Sequence, residues 1–195
     1  MKLVFATHNQ NKLEEVQKLI PSSIQLYSLD DIGCTDEIAE TGDTLLSNAW
    51  IKADFIYNQY KMDCFADDTG LEVTALGGAP GVFSARYAGS PSNAVRNVQK
   101  LLHDLKGQPH REAQFRTVIA LHLKGKQHTF EGIVKGKILD QPTGSSGFGY
   151  DPIFQPHGFD NSFAQMPMDT KNKISHRGIA IQKLVDFLKT QAAMF

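Results

Sequence analysis

The stretch that most constrains the fold is residues 64–73, CFADDTGLEV, in which a short apolar run meets two adjacent carboxylates. Strand-forming residues on both sides predict that Asp67 and Asp68 lie where a buried strand emerges from a sheet. Neighbouring carboxylates repel each other and are costly to bury without a cation or a group of donors. Mg2+ binds through one or two carboxylates, with phosphates and water completing its shell. Asp-Asp-Thr-Gly is also typical of a solvated turn, so this stretch alone leaves both interpretations open.

Composition places the chain among ordinary globular proteins. Its 195 residues are 41% hydrophobic and 21% charged, which predicts one domain with a sizeable core. A formal net charge of -1 gives no overall basic field, so an anion site must be local. The apolar run at the N-terminus is too short for a signal peptide, and the distant Cys34 and Cys64 predict free thiols. These observations predict a cytoplasmic protein that binds neither nucleic acid nor a membrane.

The first part of the chain predicts a strand, a polar turn, a helix and a second strand. Apolar residues 3–6 lead into the polar residues 7–12, and a helix follows until Pro21 ends it, before a strand at 24–29. A turn of this kind presents backbone N–H groups and the positive end of the helix dipole to an anion. Lys12 in the first turn opposes that dipole, and an anion bound in the turn would explain its position.

A long helix is predicted after residues 41–44, because apolar side chains recur at the helical period from Leu46 to Tyr60. Its aromatic residues, Trp50 among them, are interpreted as core packing rather than as a ligand site. Glu40 lies just before this helix. The residues alone favour Glu40 as a charge partner of the helix N-terminus, with a second metal carboxylate as the alternative.

The middle of the chain predicts a loop, a helix and a hairpin. Glycines and a proline in residues 75–89 are typical of a loop in close backbone contact. Ser90 and Pro91 predict the start of a helix whose buried stripe includes Val95. Alternating apolar residues over 115–123 predict a half-buried strand, which a Lys-Gly-Lys turn joins to a partner strand.

The loop at residues 140–152 is unusual because glycines flank Phe148 and an Asp-Pro pair follows. A flat ring on a flexible loop can stack on a base, and Asp151 can accept N–H groups from that base. The alternative is a connecting loop whose Phe148 and Tyr150 pack into the core, and the residues alone favour this alternative.

A closing helix is predicted after Ser175, which is a suitable N-cap. His176 and Arg177 then lie in its first turn, close to Lys171 and Lys173. Basic side chains at a helix N-terminus oppose the dipole, as Lys12 does. A polyanionic ligand would account for both positive helix starts.

Taken in order, these motifs resemble the inosine/xanthosine triphosphate pyrophosphatases, enzymes that remove non-standard purine nucleotides. The resemblance runs essentially from end to end and rests on many short motifs in the same order. They are THNQNK at 7–12, ETG at 40–42 with NA at 48–49, ADDTGL at 66–71, GAPG at 78–81 with SARY at 84–87, FGYDP at 148–152 and SHRG at 175–178.

The resemblance implies an elongated α/β protein, a single domain over residues 1–195, with a central mixed sheet flanked by helices and an active-site cleft between two lobes. It implies a homodimer that uses Mg2+ to hydrolyse ITP, dITP and XTP to the monophosphate and pyrophosphate. Two competing interpretations stay open: a related pyrophosphatase for pyrimidine or modified nucleotides, and a catalytically silent nucleotide-binding module.

Carried over by position, the resemblance also implies residue roles. Asp68 is the implied general base, and the implied metal ligands are Glu40, Asp68 and Asp67. Phe148 is implied to stack on the purine. The residues implied to bind the nucleoside triphosphate lie towards both ends of the chain: Thr7, His8, Asn9, Gln10, Asn11, Lys12, Lys52, Thr69, Phe148, Gly149, Tyr150, Asp151, Lys171, His176 and Arg177. His8 stands where the family frequently has glycine, and a side chain there can narrow the phosphate loop.

Overall fold

The computed structural model describes residues 1–192, and within that range the chain forms five α-helices and seven strands. The helices are α1 (Gln10–Gln17), α2 (Leu45–Tyr60), α3 (Ala94–Asp104), α4 (Met168–Ile174) and α5 (His176–Ala192). The strands are β1 (Lys2–Phe5), β2 (Gln25–Tyr27), β3 (Cys64–Val73), β4 (Pro80–Gly81), β5 (Glu112–Leu123), β6 (Lys126–Ile138) and β7 (Phe154–Pro156). The predicted α/β class is confirmed.

The strands form a mixed sheet in the order β2-β1-β3-β5-β6-β7, and β4 pairs with β3. β1 is parallel to both β2 and β3, whereas β4 is antiparallel to β3 and β7 is antiparallel to β6. Phe5 at the end of β1 is in register with Phe65 in β3. The polar turn after β1 therefore lies near Asp67 and Asp68, which follow the part of β3 that pairs with β1.

The chain divides into two compact units. The first comprises Met1–Asp68, Thr117–Gly132 and the described part of Arg177–Phe195, and the second comprises Thr69–Arg116 and Ile133–His176. The predicted single domain over residues 1–195, of which 193–195 lie outside the described residues, stays a prediction. The predicted elongated shape and cleft stay predictions too.

In the first unit, helices cover both faces of β1. Leu3 and Phe5 pack with residues of α1 and α5, whereas Val4 and Ala6 pack with residues of α2. Successive strand residues point to opposite faces of a sheet, so this alternation places a helical layer on each side. The ring of Phe5 stacks on that of Phe65 with 4.6 Å between centroids, which fixes β1 against β3 next to the acidic pair.

The second unit is built around a cluster of aromatic side chains. The ring of Phe115 on β5 lies 4.7 Å from that of Phe154 and 6.2 Å from that of Phe163, centroid to centroid. Tyr150 is buried in the same core and donates its hydroxyl to the carbonyl oxygen of Ser84 at 2.8 Å. This core fixes the start of the segment that carries Asp151.

The acidic stretch differs from its prediction in one important respect. β3 does not end at Asp67 and Asp68 but continues through both of them to Val73. The two carboxylates are 1% and 7% exposed, so the solvated-turn interpretation is wrong. The strand continues because cationic side chains from distant parts of the chain neutralise the buried Asp67, as described below.

Other local predictions also need correction. α3 starts at Ala94 rather than at Ser90 and Pro91, because the side chain of Asn93 caps the helix by accepting the N–H of Arg96. Val95 is 66% exposed, and not part of the buried stripe.

Leu46 in α2 is likewise exposed, although the long helix itself is confirmed. α1 ends at Gln17, before Pro21. β5 is buried on both faces from residue 117 onwards and is therefore not a half-buried strand.

The hairpin of β5 and β6 and the two free thiols are confirmed, and both cysteines are buried. Trp50 packs against the core, as predicted. Within residues 1–192 no helix is both long enough and apolar enough to cross a membrane.

Candidate active site

Asp67 lies at the centre of a buried network of charged side chains in the first unit. Its Oδ1 accepts a hydrogen bond from Lys12 Nζ at 2.9 Å, and its Oδ2 accepts one from Arg177 Nε at 3.0 Å. Lys52 Nζ donates to the backbone oxygen of Asp67 at 2.7 Å and to Glu40 Oε1 at 2.5 Å. Five of the predicted site residues are thus joined by direct contacts.

Glu15 extends this network. Its Oε2 accepts from Arg177 Nη1 at 2.5 Å, and both side chains are almost completely buried. Glu15 follows Lys12 by three residues, and such residues are neighbours on one helix face. α1 therefore presents a cation and an anion to the same pair of partners, Asp67 and Arg177.

The two adjacent aspartates have opposite electrostatic environments. Burial raises the pKa of Asp67, but the charges of Lys12, Arg177 and Lys52 outweigh burial and hold that pKa well below its usual value. For Asp68, burial dominates and its pKa is raised, although Lys52 and Lys12 oppose this. Asp67 is therefore a fixed negative charge, whereas Asp68 has a carboxylate of increased basicity.

Burial also acts on the cations of the network. It lowers the pKa of Lys12, and the charge of Asp67 restores only part of that decrease. Burial lowers the pKa of Arg177 as well, but Asp67 and Glu15 reverse the effect and the net shift is upward. Arg177 is consequently a permanent cation that ties α5 to β3 and α1.

The polar turn after β1 begins α1 with its own capping contacts. The side chain of Asn9 accepts the N–H of Lys12, and the N–H of Asn9 is donated to Thr7 Oγ1 at 3.1 Å. The ring of His8 contacts the backbone oxygen of Asp36 at 3.0 Å, and Gln10 and Asn11 are exposed. The turn thus caps α1 with its own side chains, and the ring of His8 is held by Asp36.

The start of α2 positions Lys52 and a further polar residue. Thr44 is the N-cap and forms a capping box with Ser47. Asn48 is completely buried, and its Oδ1 accepts the N–H of Gly42 at 2.8 Å. Asn48 and Lys52 are four residues apart, so they occupy the same face of α2.

The oxygen donors in this unit are suited to Mg2+. Within residues 1–192, no group of three or more His, Cys, Asp and Glu side chains encloses a metal site by itself. Mg2+ does not require one, because it usually takes one or two carboxylates and leaves the rest of its shell to water and substrate phosphates. Glu40 and Asp68 can supply these two carboxylates. Both oxygens of Asp67 are already held by Lys12 and Arg177, so Asp67 is less suitable as a ligand.

The second unit contains a separate cluster around Phe148, which is half-buried. Asp151 Oδ2 accepts the backbone N–H of Phe148 at 2.8 Å and a hydrogen bond from Lys171 Nζ at 2.6 Å. The Lys171 ammonium lies 5.1 Å from the centroid of the Phe148 ring. Gly147 allows this turn, since it has φ +75° and a Cβ there would collide with the Asp151 carboxylate.

The remaining predicted residues of the second unit have different environments. The ring of His176 is buried and stacks on Phe115 with 4.5 Å between centroids. Tyr150 packs in the core, which matches the alternative interpretation for that residue. Gly149 has φ +62° and needs glycine, whereas Thr69 is half-buried on β3.

The structure does not contain the predicted group of four basic side chains at the start of α5. Arg177 contacts Glu15 and Asp67, Lys171 contacts Asp151, and Lys173 is exposed. Buried carboxylates therefore balance these cations, and no bound polyanion is needed to explain their positions.

Sequence reasoning missed Glu15 and assigned no role to Asn48. A signal for Glu15 was present, because a glutamate directly before Val16 falls among the buried positions of an otherwise amphipathic helix. Asn48 belonged to a recognised motif, but only the structure reveals its contact with Gly42.

Fold and site together place the chain among α/β proteins in which an acidic pair on a central strand lies beside a helix N-terminus. The Ham1 family matches residues 3–187, and the chain belongs to that family. The dITP/XTP pyrophosphatase of Christiangramia forsetii is 59% identical over 188 residues, which cover 96% of this chain and 99% of that protein. The dITP/XTP pyrophosphatase of Flavobacterium johnsoniae is 55% identical over 188 residues, with 96% and 98% covered.

Solved structures agree with the family. The Ham1 protein of Staphylococcus aureus superposes with a TM-score of 0.89 at 36% identity and covers 98% of this chain and 100% of its own. A HAM1 protein from Coxiella burnetii gives a TM-score of 0.89 at 37% identity, with 97% and 99% covered. The resemblance found in the sequence is confirmed.

Proposed function

We propose that this chain is a nucleoside triphosphate pyrophosphohydrolase that converts ITP, dITP and XTP to the monophosphate and pyrophosphate and so keeps non-standard purines out of DNA and RNA. Relatives that are more than half identical over nearly the whole chain carry the name dITP/XTP pyrophosphatase. The mechanism rests on the opposite pKa shifts of two adjacent carboxyls. Cations lower the pKa of Asp67 and hold it ionised, whereas burial raises the pKa of Asp68 and makes its carboxylate more basic.

The first unit supplies the groups for the triphosphate. The N-terminus of α1 offers backbone N–H groups, and Lys12 and Lys52 lie within hydrogen-bonding distance of the acidic network. Asp67 and Glu40 hold these two ammonium groups in place before substrate arrives, so little of their side-chain freedom is lost on binding. Lysines positioned in this way stabilise negative charge that develops on phosphate oxygens.

Asp68 is the proposed general base. Water attacks the α-phosphorus, its proton passes to the Asp68 carboxylate, and the bond from the α-phosphorus to the bridging oxygen breaks. The electron pair leaves with the pyrophosphate, next to Lys12 and Lys52. A carboxylate whose pKa is raised by burial is a better proton acceptor near neutral pH.

Mg2+ is the proposed cofactor, and Glu40 and Asp68 are the proposed ligands. When bound, the ion would polarise phosphate oxygens and neutralise part of their charge. Glu40 accepts a hydrogen bond from Lys52. That contact keeps its carboxylate beside the α2 face that carries Asn48 and Lys52.

The second unit supplies the proposed base contacts. Phe148 would stack on the purine, and the Lys171 ammonium beside its ring is a donor suited to a 6-oxo group. Adenine carries an amine there, which cannot accept a hydrogen bond from Lys171, and its binding would be weaker by about 1–3 kcal/mol. Arg177 is committed to Glu15 and Asp67, so it is a weaker candidate for a contact with the nucleotide than the resemblance implies.

Product analysis with a panel of nucleotides tests this proposal. The purified chain is incubated with ITP, dITP, XTP, GTP, ATP and TTP, with Mg2+ or with EDTA, and phosphate is resolved from pyrophosphate. We expect pyrophosphate from the 6-oxo non-standard purines and none in EDTA. Orthophosphate would mean that a different bond is cleaved, and turnover of TTP in preference to ITP would favour a related pyrophosphatase for pyrimidines. Binding without turnover of any nucleotide would favour the silent binding module.

We further propose that the protein is a cytoplasmic homodimer that contacts neither nucleic acid nor membrane. Two buried free thiols support this location. Light scattering coupled to gel filtration should give twice the mass of 21.6 kDa. Cell fractionation should recover the protein with the cytosol, and a monomeric mass or a membrane-bound fraction would contradict the proposal.

A further inference from the structure

His8 connects the polar turn after β1 to a distant part of the first unit. Its ring atom Nε2 lies 3.0 Å from the backbone oxygen of Asp36, 28 residues further along the chain. The neighbouring side chains make local contacts: Thr7 Oγ1 accepts the N–H of Asn9, and Asn9 Oδ1 accepts the N–H of Lys12. His8 therefore forms a contact that the capping of α1 does not require.

The partner of the His8 ring determines which ring nitrogen carries a proton. A backbone carbonyl oxygen can only accept a hydrogen bond, so Nε2 must be the protonated nitrogen that donates to Asp36. A side chain without a donor at that point cannot replace it. Glutamine can, because its amide group is a donor and its nitrogen lies about as far from the backbone as Nε2 does.

Asp36 belongs to an irregular segment that leads to Glu40. Residues 34–42 form neither helix nor strand, and residues 35–37 are exposed. Further along the segment, Glu40 Oε1 accepts a hydrogen bond from Lys52 Nζ at 2.5 Å. An exposed stretch without regular structure opens easily, because few contacts hold it. A hydrogen bond to its backbone oxygen from a side chain of another segment therefore restricts its position.

We propose that His8 is a positioning residue: by holding the backbone of Asp36, it fixes the distance between Glu40, a proposed metal ligand, and the polar turn at residues 7–12. This inference rests on the proposed function, in which one triphosphate contacts both the turn and the metal ion. A segment that is ordered before the ligand arrives loses less conformational freedom on binding. Residues that orient a metal ligand affect metal affinity without touching the ion.

Two competing explanations apply to the same ring. In the first, the ring of His8 contacts a phosphate oxygen directly, as the resemblance implies. In the second, the contact with Asp36 is an exposed hydrogen bond that has no effect on binding. The three explanations differ in how binding responds to removal of the metal and to glutamine at position 8.

The experiment measures binding without turnover in His8→Ala, His8→Gln, Glu40→Gln and the double variant His8→Ala with Glu40→Gln. Electron paramagnetic resonance gives the affinity for Mn2+ alone. Calorimetry gives the affinity for the α,β-imido analogue of ITP, with Mg2+ and with EDTA, and thermal unfolding reports stability. His157→Ala is the matched control, because His157 is also exposed and its Nε2 contacts Glu112 at 2.9 Å in the second unit.

We expect His8→Ala to weaken Mn2+ binding about 3- to 10-fold, the range for loss of one hydrogen bond between neutral groups. His8→Gln should stay within about 2-fold of the unmodified chain, because the donor is restored. In the Glu40→Gln background, His8→Ala should cause no further loss, since it acts through that carboxylate. Binding of the analogue should weaken with Mg2+ and stay unchanged in EDTA. The melting temperature of His8→Ala should fall by no more than about 2 °C, as in His157→Ala.

Several results would overturn the inference. Unchanged Mn2+ affinity in His8→Ala would show that the contact has no effect on binding, and weaker binding of the analogue in EDTA would show a direct contact with phosphate. An equal loss of Mn2+ affinity from His8→Ala with and without Glu40→Gln would show that His8 does not act through Glu40. An unmodified chain that binds no Mn2+ would remove Glu40 as a ligand, and the role of His8 with it.

Failure of the proposed function gives a different result. In that case the unmodified chain binds Mn2+ but not the analogue of ITP. The Mn2+ affinities of the His8 and Glu40 variants would still decide whether His8 positions Glu40.

Discussion

Replacing Arg177 with methionine removes one charge and leaves two buried carboxylates behind. Arg177 donates from Nη1 to Glu15 at 2.5 Å and from Nε to Asp67 at 3.0 Å, and all three side chains are at most 4% exposed. Methionine keeps much of the apolar volume of the arginine stem, so the change acts mainly on charge. Breaking a buried ion pair from one side destabilises a protein by about 3–5 kcal/mol, because an uncompensated charge remains.

The same contacts give the expected stability of a double variant in which Glu15 is replaced as well. In Arg177→Met with Glu15→Leu, only the Asp67 carboxylate loses a partner, and Lys12 still contacts it at 2.9 Å. The double variant should therefore lose less free energy of unfolding than the two single variants lose together. The difference should be about 1.5–3 kcal/mol, the range for a hydrogen bond to a charged group.

Urea unfolding provides the assay, with fluorescence of Trp50, the one tryptophan of the chain, as the probe. A loss of 3–5 kcal/mol corresponds to a melting temperature lower by roughly 6–20 °C for a protein of this size. Lys189→Met is the matched control, because Lys189 is mostly exposed and pairs with Asp186 at 3.6 Å. That exposed pair should contribute less than about 1 kcal/mol. An Arg177→Met variant no less stable than the control would refute the reasoning.

Three further predictions concern Phe148, Tyr150 and the thiol of Cys64. Phe148→Ala should raise the KM for ITP about 5- to 100-fold, which is the range for loss of one stacked base, and should change the melting temperature little. A large decrease in melting temperature would show instead that Phe148 packs in the core. Tyr150→Phe should lose about 0.5–1.5 kcal/mol of stability, because its hydroxyl donates to the buried carbonyl of Ser84, and should leave KM unchanged; a raised KM would contradict this. Burial raises the pKa of Cys64 from 9.0 to about 12, so the protonated thiol stabilises the fold below pH 9 and that contribution is lost as pH rises towards 12. Between pH 8 and 11.5 the free energy of unfolding should depend less on pH in Cys64→Ala than in the unmodified chain. Equal slopes of that free energy against pH in the two proteins would exclude the thiol as the cause.

Local patterns predicted much of the fold. Strand β1, the polar turn, α1 and the hairpin of β5 and β6 depend on apolar periodicity and turn residues, which can be read within a few positions. The N-cap of α3 was misplaced because Ser90 and Asn93 are both good caps, and only the contact between Asn93 and Arg96 distinguishes them.

The charge network could not be predicted in this way. Glu15 and Arg177 lie 162 residues apart, and nothing near either residue specifies its partner. The same applies to β3, whose passage through Asp67 requires cations from both α1 and α5. Long-range pairing of buried charges is a property of the tertiary structure, so sequence identified the acids but not how they are stabilised.

The functional difference between the two adjacent carboxylates is tested most directly by a matched pair of variants, Asp67→Asn and Asp68→Asn. Pyrophosphate release from ITP is measured in a single turnover by rapid quench, and binding and stability are measured on the same preparations. Asp68→Asn should release pyrophosphate at least about 100-fold more slowly while it still binds nucleotide and stays folded. Asp67→Asn should lose stability and nucleotide affinity, because Lys12 and Arg177 lose their shared counter-charge. A near-normal rate in Asp68→Asn, together with a stable but inactive Asp67→Asn, would contradict these assignments and exchange the roles of the two residues.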